Sequence, residues 1–174
     1  AITRKRSSLP PVLAEASRNG KTGRGLQEMI LILRAVRFRV KTAHALLPCL
    51  FDIANARCLV LGAGGVGRRK ARTLLSAGAH VILVDPFSAP DEDPELAATP
   101  GLSWYSRDLS DADLDGVVLA FAASGNREAN GALVNRCRER NIPCNVADKP
   151  EDGTFILPAV HSQEDLVLAV STGG

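Results

Sequence analysis

Residues 57–70 read Arg-Cys-Leu-Val-Leu-Gly-Ala-Gly-Gly-Val-Gly-Arg-Arg-Lys, and this stretch decides the fold. The apolar run 58–61 leads directly into Gly62-x-Gly64-x-x-Gly67, and a segment compatible with a helix follows. A strand, a glycine-rich turn and a helix in this order are typical of the first unit of a dinucleotide-binding fold. The glycine pattern alone is a weak indication of this fold, so the prediction depends on the residues that follow it.

Each glycine has a separate role in this motif. Gly62 permits the tight turn, Gly64 lets the backbone approach a pyrophosphate, and Gly67 lets the helix pack against the strand. The helix begins at Gly65 and Val66, where free N–H groups and the positive end of the helix dipole attract phosphate. We therefore assign the whole Gly62–Gly67 loop to a cofactor site.

A second apolar strand, predicted over residues 79–84, ends at Asp85, which lies 18 residues after Gly67. A carboxylate at this position accepts both ribose hydroxyls of NAD and repels the 2′-phosphate of NADP. Pro86 and Phe87 follow directly and are assigned to the same site, with NAD as the expected cofactor. The alternative is a glycine turn in an ordinary α/β domain, with Asp85 as a strand-end residue.

Composition excludes several classes of protein. The 174 residues are 45% hydrophobic but only 4% aromatic, which predicts an aliphatic core such as that of a parallel sheet. No apolar run approaches the roughly 18 residues of a membrane span. The four cysteines and three histidines show no zinc-type spacing, so we expect no metal site, reduced thiols and a cytoplasmic protein.

Charge divides the chain into two segments. Residues 1–44 carry ten Lys or Arg residues and two acidic residues, whereas residues 45–174 carry eleven Lys or Arg residues and seventeen acidic residues. We predict a basic, poorly ordered or packing arm over residues 1–45; a transit peptide, a partner-docking arm and sequence upstream of the true start are the alternatives. Residues 46–174 form the predicted dinucleotide-binding domain, whose acidic balance argues against a nucleic-acid-binding surface.

Strand and helix signals alternate from residue 58 onward, which predicts a Rossmann-like, doubly wound, mostly parallel α/β sheet. Val66, Ala71, Leu74 and Leu75 form the expected inner face of the first helix, and Gly78 its C-terminal cap. Residues 116–122 read as a fully buried strand. The predicted strands cover residues 58–61, 79–84, 102–105, 116–122, 142–146 and 165–170, and the main helices 65–77 and 127–140.

Ligands of such a sheet bind beyond the carboxyl ends of its strands. Four segments are expected to converge there, namely the glycine loop and residues 85–87, 123–125 and 145–148, with residues 171–173 as a fifth. Small residues around Ser124 leave room for the cofactor. Asp148 directly follows the fifth strand and is a candidate base. Alternatively, it caps the turn at Pro150.

Together the motifs resemble the siroheme-synthase N-terminal domain, the precorrin-2 dehydrogenase family, over about residues 46–174. The stretches that carry the resemblance are Leu47-Pro-x-x-Phe51, the glycine loop, Asn145-Val-x-Asp148, Thr154-Phe-Ile-Leu-Pro158 and Leu166-Val-Leu-Ala-Val-Ser-Thr-Gly-Gly174. The resemblance implies NAD-dependent oxidation of precorrin-2 to sirohydrochlorin and a homodimer. Some members also insert ferrous iron, which is a lyase activity. The resemblance also implies that Asp148 is the key acid and that Asn145, Ser171 and Thr172 lie beside the tetrapyrrole.

The sequence also departs from the family pattern. Ser124 is followed by Gly125, where the family has an acid or amide, and residues 161–165 lack the usual Asp-Arg pair. The family continues into helices that dimerise and complete the tetrapyrrole pocket, so we expect a truncated chain that is inactive alone. A catalytically silent NAD-binding sensing or interaction module therefore stays open as an alternative. The basic side chains of residues 68–72 are either substrate anchors or a solvated helix face.

Overall fold

The computed structural model describes residues 46–163 and 166–171. Strands and helices alternate along the chain, with short 3₁₀ turns at Pro90–Glu92, Asp111–Leu114 and Pro150–Asp152. The elements in order are β1 (Arg57–Leu61), α1 (Gly65–Ser76), β2 (His80–Val84), α2 (Pro94–Ala97), β3 (Leu102–Tyr105), β4 (Val117–Ala122), α3 (Arg127–Glu139), β5 (Cys144–Val146), β6 (Ala159–Gln163) and β7 (Leu166–Val170).

Strands β1 to β5 form one parallel sheet in the order β3-β2-β1-β4-β5. This confirms the predicted doubly wound α/β fold. The chain moves in one direction from β1 to β3 and in the other from β4 to β5, so the order reverses between β1 and β4. The loops after β1 and β4 lie at this switch point, where open α/β sheets bind their ligands.

Alternate residues of the strands enter two separate cores, because successive side chains point to opposite faces of a sheet. One core joins Val60 and Leu83 to Ala71 and Leu74 of α1. The other joins inward residues of the same strands to Leu133, Val134 and Cys137 of α3. Helices on both faces explain why the strands read as nearly continuous apolar runs.

Two burial predictions were wrong. Val118 of the fourth strand is 45% exposed, and Val66 of the first helix is 41% exposed. The burial of Gly67, Ala71 and Leu74 fixes the inner face of α1 and leaves Val66 outside it. Gly78 adopts φ +80° after the last turn of α1, as a C-terminal cap requires.

The predicted sixth strand does not join the parallel sheet. Leu166–Val170 pairs antiparallel with Ala159–Gln163, and the two form a separate two-stranded sheet. The prediction missed Ala159–Gln163 because His161, Ser162 and Gln163 give it little apolar character. Side chains of both strands are largely exposed.

The predicted basic arm over residues 1–45 lies outside the described residues. Within the described ranges, no helix is both long and apolar enough to cross a membrane.

An ion pair between the exposed Arg107 and the buried Asp113 holds the turn that leads into β4. Arg107 donates two hydrogen bonds of 2.7 Å to the Asp113 carboxylate, and the N–H and hydroxyl of Ser110 donate to the same group. The Arg107 guanidinium, aided by Ser110, lowers the pKa of Asp113 from its ordinary value of 3.8 to about 2. A lowered pKa means that the folded state favours the charged carboxylate, so this pair stabilises the fold at neutral pH.

We predict that Asp113→Asn lowers the free energy of unfolding by about 2 kcal/mol at pH 7. The contribution is complete above pH 3.8 and declines as the pH falls toward 2, so roughly half of it remains at pH 3. Urea unfolding at both pH values measures it. Asp111→Asn is the control, because the Asp111 side chain is 69% exposed and its ion pairs are long. Equal unfolding free energies for Asp113→Asn and the parent at pH 7 contradict the assignment.

Candidate active site

Gly62 and Gly67 have to be glycine because of close backbone contacts within the protein. Gly62 has φ +99°, and a Cβ there would lie 2.5 Å from the backbone of Ser124. A Cβ on Gly67 would overlap the carbonyl oxygen of Gly62. The loop after β1 is therefore packed directly against the loop after β4.

Gly64 and Gly65 are different, because a Cβ on either would meet no heavy atom within 4 Å. Gly64 also has φ −67°, a value that any residue adopts. Neither packing nor backbone conformation within the described protein requires glycine at position 64. The open space in front of these residues instead forms a shallow cradle that a bound group can enter.

The Gly64–Gly65 cradle lies at the N-terminus of α1, and no side chain caps this end of the helix. The first turn contains no acidic residue either. The N–H groups of the first turn have no partner within the helix, and they carry the positive end of its dipole. Both features favour an anion in the cradle.

The peptide groups of Ala63 hold the loop in place. The Asp85 carboxylate accepts a 2.7 Å hydrogen bond from the N–H of Ala63, and Arg68 Nε donates a 2.6 Å bond to its carbonyl oxygen. The other carboxylate oxygen of Asp85 accepts from the N–H of Phe87 at 2.9 Å. Asp85 thus stands at the end of β2 beside the glycine loop, as predicted. Pro86 and Phe87 are exposed.

Arg68 also joins the loop to the connection after β2. Its guanidinium pairs with Glu92, donates to Ser88 and lies 5.4 Å from the ring centroid of Trp104. One turn further along α1, Arg72 pairs with Asp93 at 2.5 Å. Arg68 and Arg72 are therefore structural, which removes them from the candidate substrate anchors.

The loop after β4 is tied to the acid after β5 through a buried amide. Asn130 of α3 is 3% exposed, and its Oδ1 accepts hydrogen bonds from the N–H and hydroxyl of Ser124. Its Nδ2 donates to the carbonyl of Ser124 at 3.0 Å and to Asp148 Oδ1 at 3.4 Å. Asn130 thus joins the predicted cofactor residue Ser124 to the predicted catalytic residue Asp148.

Asp148 faces a cavity of about 400 Å³ on the side of α3. Its carboxylate lies 3.7 Å from Arg127 Nε, and its side chain is 40% exposed. A carboxylate that is held by the Asn130 amide, flanked by Arg127 and open to a cavity can accept a proton from a ligand. Among the described residues, no side-chain hydrogen bond caps the turn at Pro150–Asp152.

The predicted substrate residues lie in another cavity. Asn145 and Ser171 line a space of about 520 Å³ together with Val66. The Asn145 amide also donates to the carbonyl of Phe155 and so holds the segment after Gly153 beside β5. Val146 lines both cavities, so Asp148 and Asn145 face different sides of the same strand end. Thr172 lies outside the described residues.

Sequence reasoning missed Asn130 and the structural role of Arg68. Asn130 precedes Leu133 and Val134 by three and four positions, so it shares their inward face. A polar residue on an otherwise apolar helix face was the available signal. Arg68 gave no such signal, because it stands in a run of cations whose partners are distant in sequence.

A dinucleotide fits this arrangement. The open cradle at Gly64 and the uncapped helix start suit a pyrophosphate, and the Asp85 carboxylate suits a ribose. Among the described residues, no three His, Cys, Asp or Glu side chains cluster as metal ligands.

Comparisons with known proteins agree with this geometry. The model of a family described as putative NAD(P)-binding matches residues 49–159. The siroheme synthase of Methylobacillus flagellatus is 38% identical over 128 residues, and that of Nitrosomonas eutropha 35% identical over 127. These matches cover 74% and 73% of this chain but only 27% of each relative. The chain thus spans about a quarter of the length of these relatives.

A solved structure described as SirC, precorrin-2 dehydrogenase, is also similar. Its TM-score is 0.59 at 25% sequence identity, and the match covers 74% of this chain and 63% of that one.

We predict that Gly64→Val raises the dissociation constant for NAD at least about a hundredfold, because its side chain fills the space that the pyrophosphate needs. The free energy of unfolding should change by no more than about 1 kcal/mol, since a Cβ at position 64 meets no heavy atom within 4 Å. Calorimetric titration and urea unfolding measure the two quantities.

Gly67→Ala is the contrasting variant, because its added Cβ overlaps Gly62 and should prevent normal folding. Unchanged NAD affinity in folded Gly64→Val would show that the glycine loop is only a turn.

Proposed function

The chain belongs to the putative NAD(P)-binding family, and from this premise we propose that it is the cofactor domain of an NAD-dependent precorrin-2 dehydrogenase. The proposed reaction oxidises precorrin-2 to sirohydrochlorin in siroheme biosynthesis. The observation that carries the proposal is the open cradle at Gly64, set between Asp85 and the Ser124–Asn130–Asp148 network. The similarity to siroheme synthases and to a precorrin-2 dehydrogenase supports the substrate.

The chain's own residues hold the cofactor in this proposal. The first-turn N–H groups of α1 bind the pyrophosphate at Gly64–Gly67, and Asp85 accepts the ribose hydroxyls. Ser124, fixed by Asn130, forms the wall of the site after β4. Bound NAD supplies the hydride acceptor for the oxidation.

Asp148 is proposed as the catalytic base. Oxidation of precorrin-2 releases a proton from the macrocycle as well as a hydride, so a carboxylate beside both ligands assists the reaction. The contact with Asn130 supports this role, because it orients Asp148 toward the β4 loop. The open side of the carboxylate leaves room for a proton donor.

Insertion of ferrous iron and a homodimer stay predictions of the resemblance, and a cytoplasmic setting stays a prediction of the cysteine pattern. The described cysteines are free thiols, with Cys58, Cys137 and Cys144 buried and Cys49 exposed, and unpaired cysteines are typical of a reducing compartment.

We predict that NAD binds at least about tenfold more tightly than NADP, because the Asp85 carboxylate repels a 2′-phosphate. Asp85→Asn keeps an acceptor for the Ala63 N–H but removes the charge, so it should narrow this ratio by improving NADP binding. Calorimetric titration of both cofactors measures the ratio. Equal affinities in the parent, or a preference for NADP, would contradict the assignment of Asp85.

We predict that Asp148→Asn leaves NAD affinity within about threefold and lowers the rate of precorrin-2 oxidation at least about a hundredfold, as expected for loss of a positioned base. NAD reduction is followed at saturating cofactor. The assay uses this chain and a version extended with the region that follows the matched segment in the Methylobacillus flagellatus relative.

Asp152→Asn is the matched control for this assay, because Asp152 lines the same cavity but pairs with Lys149. It should retain the parent rate. Oxidation by Asp148→Asn at close to the parent rate would make Asp148 structural, and a parent without turnover in either length would favour the silent NAD-binding module.

A further inference from the structure

Four basic side chains within residues 68–72 project from α1, and their contacts divide them into two pairs. Arg68 and Arg72 are neutralised by Glu92 and Asp93 of the connection after β2. Arg69 and Lys70 form no ion pair with any residue in the described ranges. Two of the four cations are therefore neutralised by ion pairs within the protein, and the other two are available to a ligand.

The available pair lines the cavity of about 520 Å³ that Asn145 and Ser171 also line. Lys70 is half-buried there, with its Nζ 5.8 Å from the ring centroid of Phe121. Burial lowers the pKa of the Lys70 ammonium, and the charge of Arg69 lowers it further. A partly desolvated cation without a counter-charge is stabilised by an anionic ligand.

The rest of the cavity wall is mainly apolar, with Ile156, Leu157 and Val170 among its residues and no carboxylate. Its volume lies within the range of small-molecule sites. Cations at one side and aliphatic walls elsewhere match a ligand that combines an apolar ring system with carboxylates.

The cavity also adjoins the proposed cofactor site. Val66 lines it and belongs to the first turn of α1, immediately after the open cradle at Gly64–Gly65. A ligand in this cavity therefore lies beside a dinucleotide that occupies the cradle.

We propose that this cavity binds a carboxylated tetrapyrrole, with Lys70 as the principal carboxylate anchor and Arg69 as the second. Lys70 ranks first because its ammonium is half-buried, whereas the exposed Arg69 is screened by solvent. The tetrapyrrole class rests on the proposed function, and the assignment of the two cations rests on the geometry of the cavity.

The test is anaerobic titration of the NAD-loaded chain with sirohydrochlorin, followed by its visible absorption. Lys70→Met keeps the aliphatic stem over Phe121 and removes the charge, and it should raise the dissociation constant at least about tenfold. Arg69→Met should raise it less. Arg72→Met, one turn along from Arg68 on the same helix, is the matched control and should stay within about twofold of the parent.

Two accompanying measurements identify the cause. NAD affinity should be the same in all variants, which shows that the domain is folded and the cradle intact. Parent binding should weaken between low and high salt, and Lys70→Met should weaken less steeply because one charge contact is missing.

Sirohydrochlorin affinity of Lys70→Met within twofold of the parent would overturn the anchor assignment and leave the proposed dehydrogenase standing. A parent that binds NAD but not sirohydrochlorin, both as this chain and in the extended version of the turnover assay, would overturn the cavity proposal. Oxidation of precorrin-2 by the same extended version would leave the proposed dehydrogenase standing. Loss of binding in Lys70→Met alone supports the anchor whether or not the chain turns over.

Discussion

The two peptide groups of Ala63 are the point on which the rest of the site depends. Its N–H is held by Asp85 and its carbonyl by Arg68, so the loop between β1 and α1 is fixed from both sides. Arg68 is itself held by Glu92, Ser88 and Trp104. A loop fixed in this way presents the Gly64–Gly65 opening without first having to be ordered by a ligand, which lowers the entropic cost of binding.

From this loop a continuous set of contacts crosses the carboxyl edge of the sheet. Gly62 packs on Ser124, Ser124 bonds to Asn130, and Asn130 bonds to Asp148. Cofactor residues and the candidate base are thus parts of one network rather than separate loops. The strand end at Val146 divides two cavities, and the available cations of α1 lie on the side opposite Asp148. A tetrapyrrole anchored at Lys70 must therefore extend past Val146, which lines both cavities, to bring its macrocycle beside the Asp148 carboxylate.

The sheet, its helices and the glycine loop could be predicted because their signals are local: apolar runs of strand length, helical spacing, and glycines between them. Asp85 could be predicted for the same reason, because it directly follows a predicted strand and so lies at the carboxyl edge of the sheet. Arg68 and Asn130 could not be assigned, because their roles depend on partners 18 to 24 positions away. Ala159–Gln163 was missed because pairing with Leu166–Val170 makes it a strand, whereas its own residues have little strand character. The sequence could not show that Asn145 and Asp148 line different cavities, because this depends on which side of one strand end each side chain faces.

Amide NMR of the chain during titration with NAD tests whether the fixed glycine loop is a preformed dinucleotide site. The largest chemical-shift changes should occur at the N–H groups of residues 64–67, followed by Ala63 and Ser124. Amides of Asp111–Leu114, in the 3₁₀ turn that precedes the amino end of β4, should not move. Saturation with NAD that leaves the amides of residues 64–67 unshifted, or that shifts only distant amides, would show that the dinucleotide does not bind at this loop.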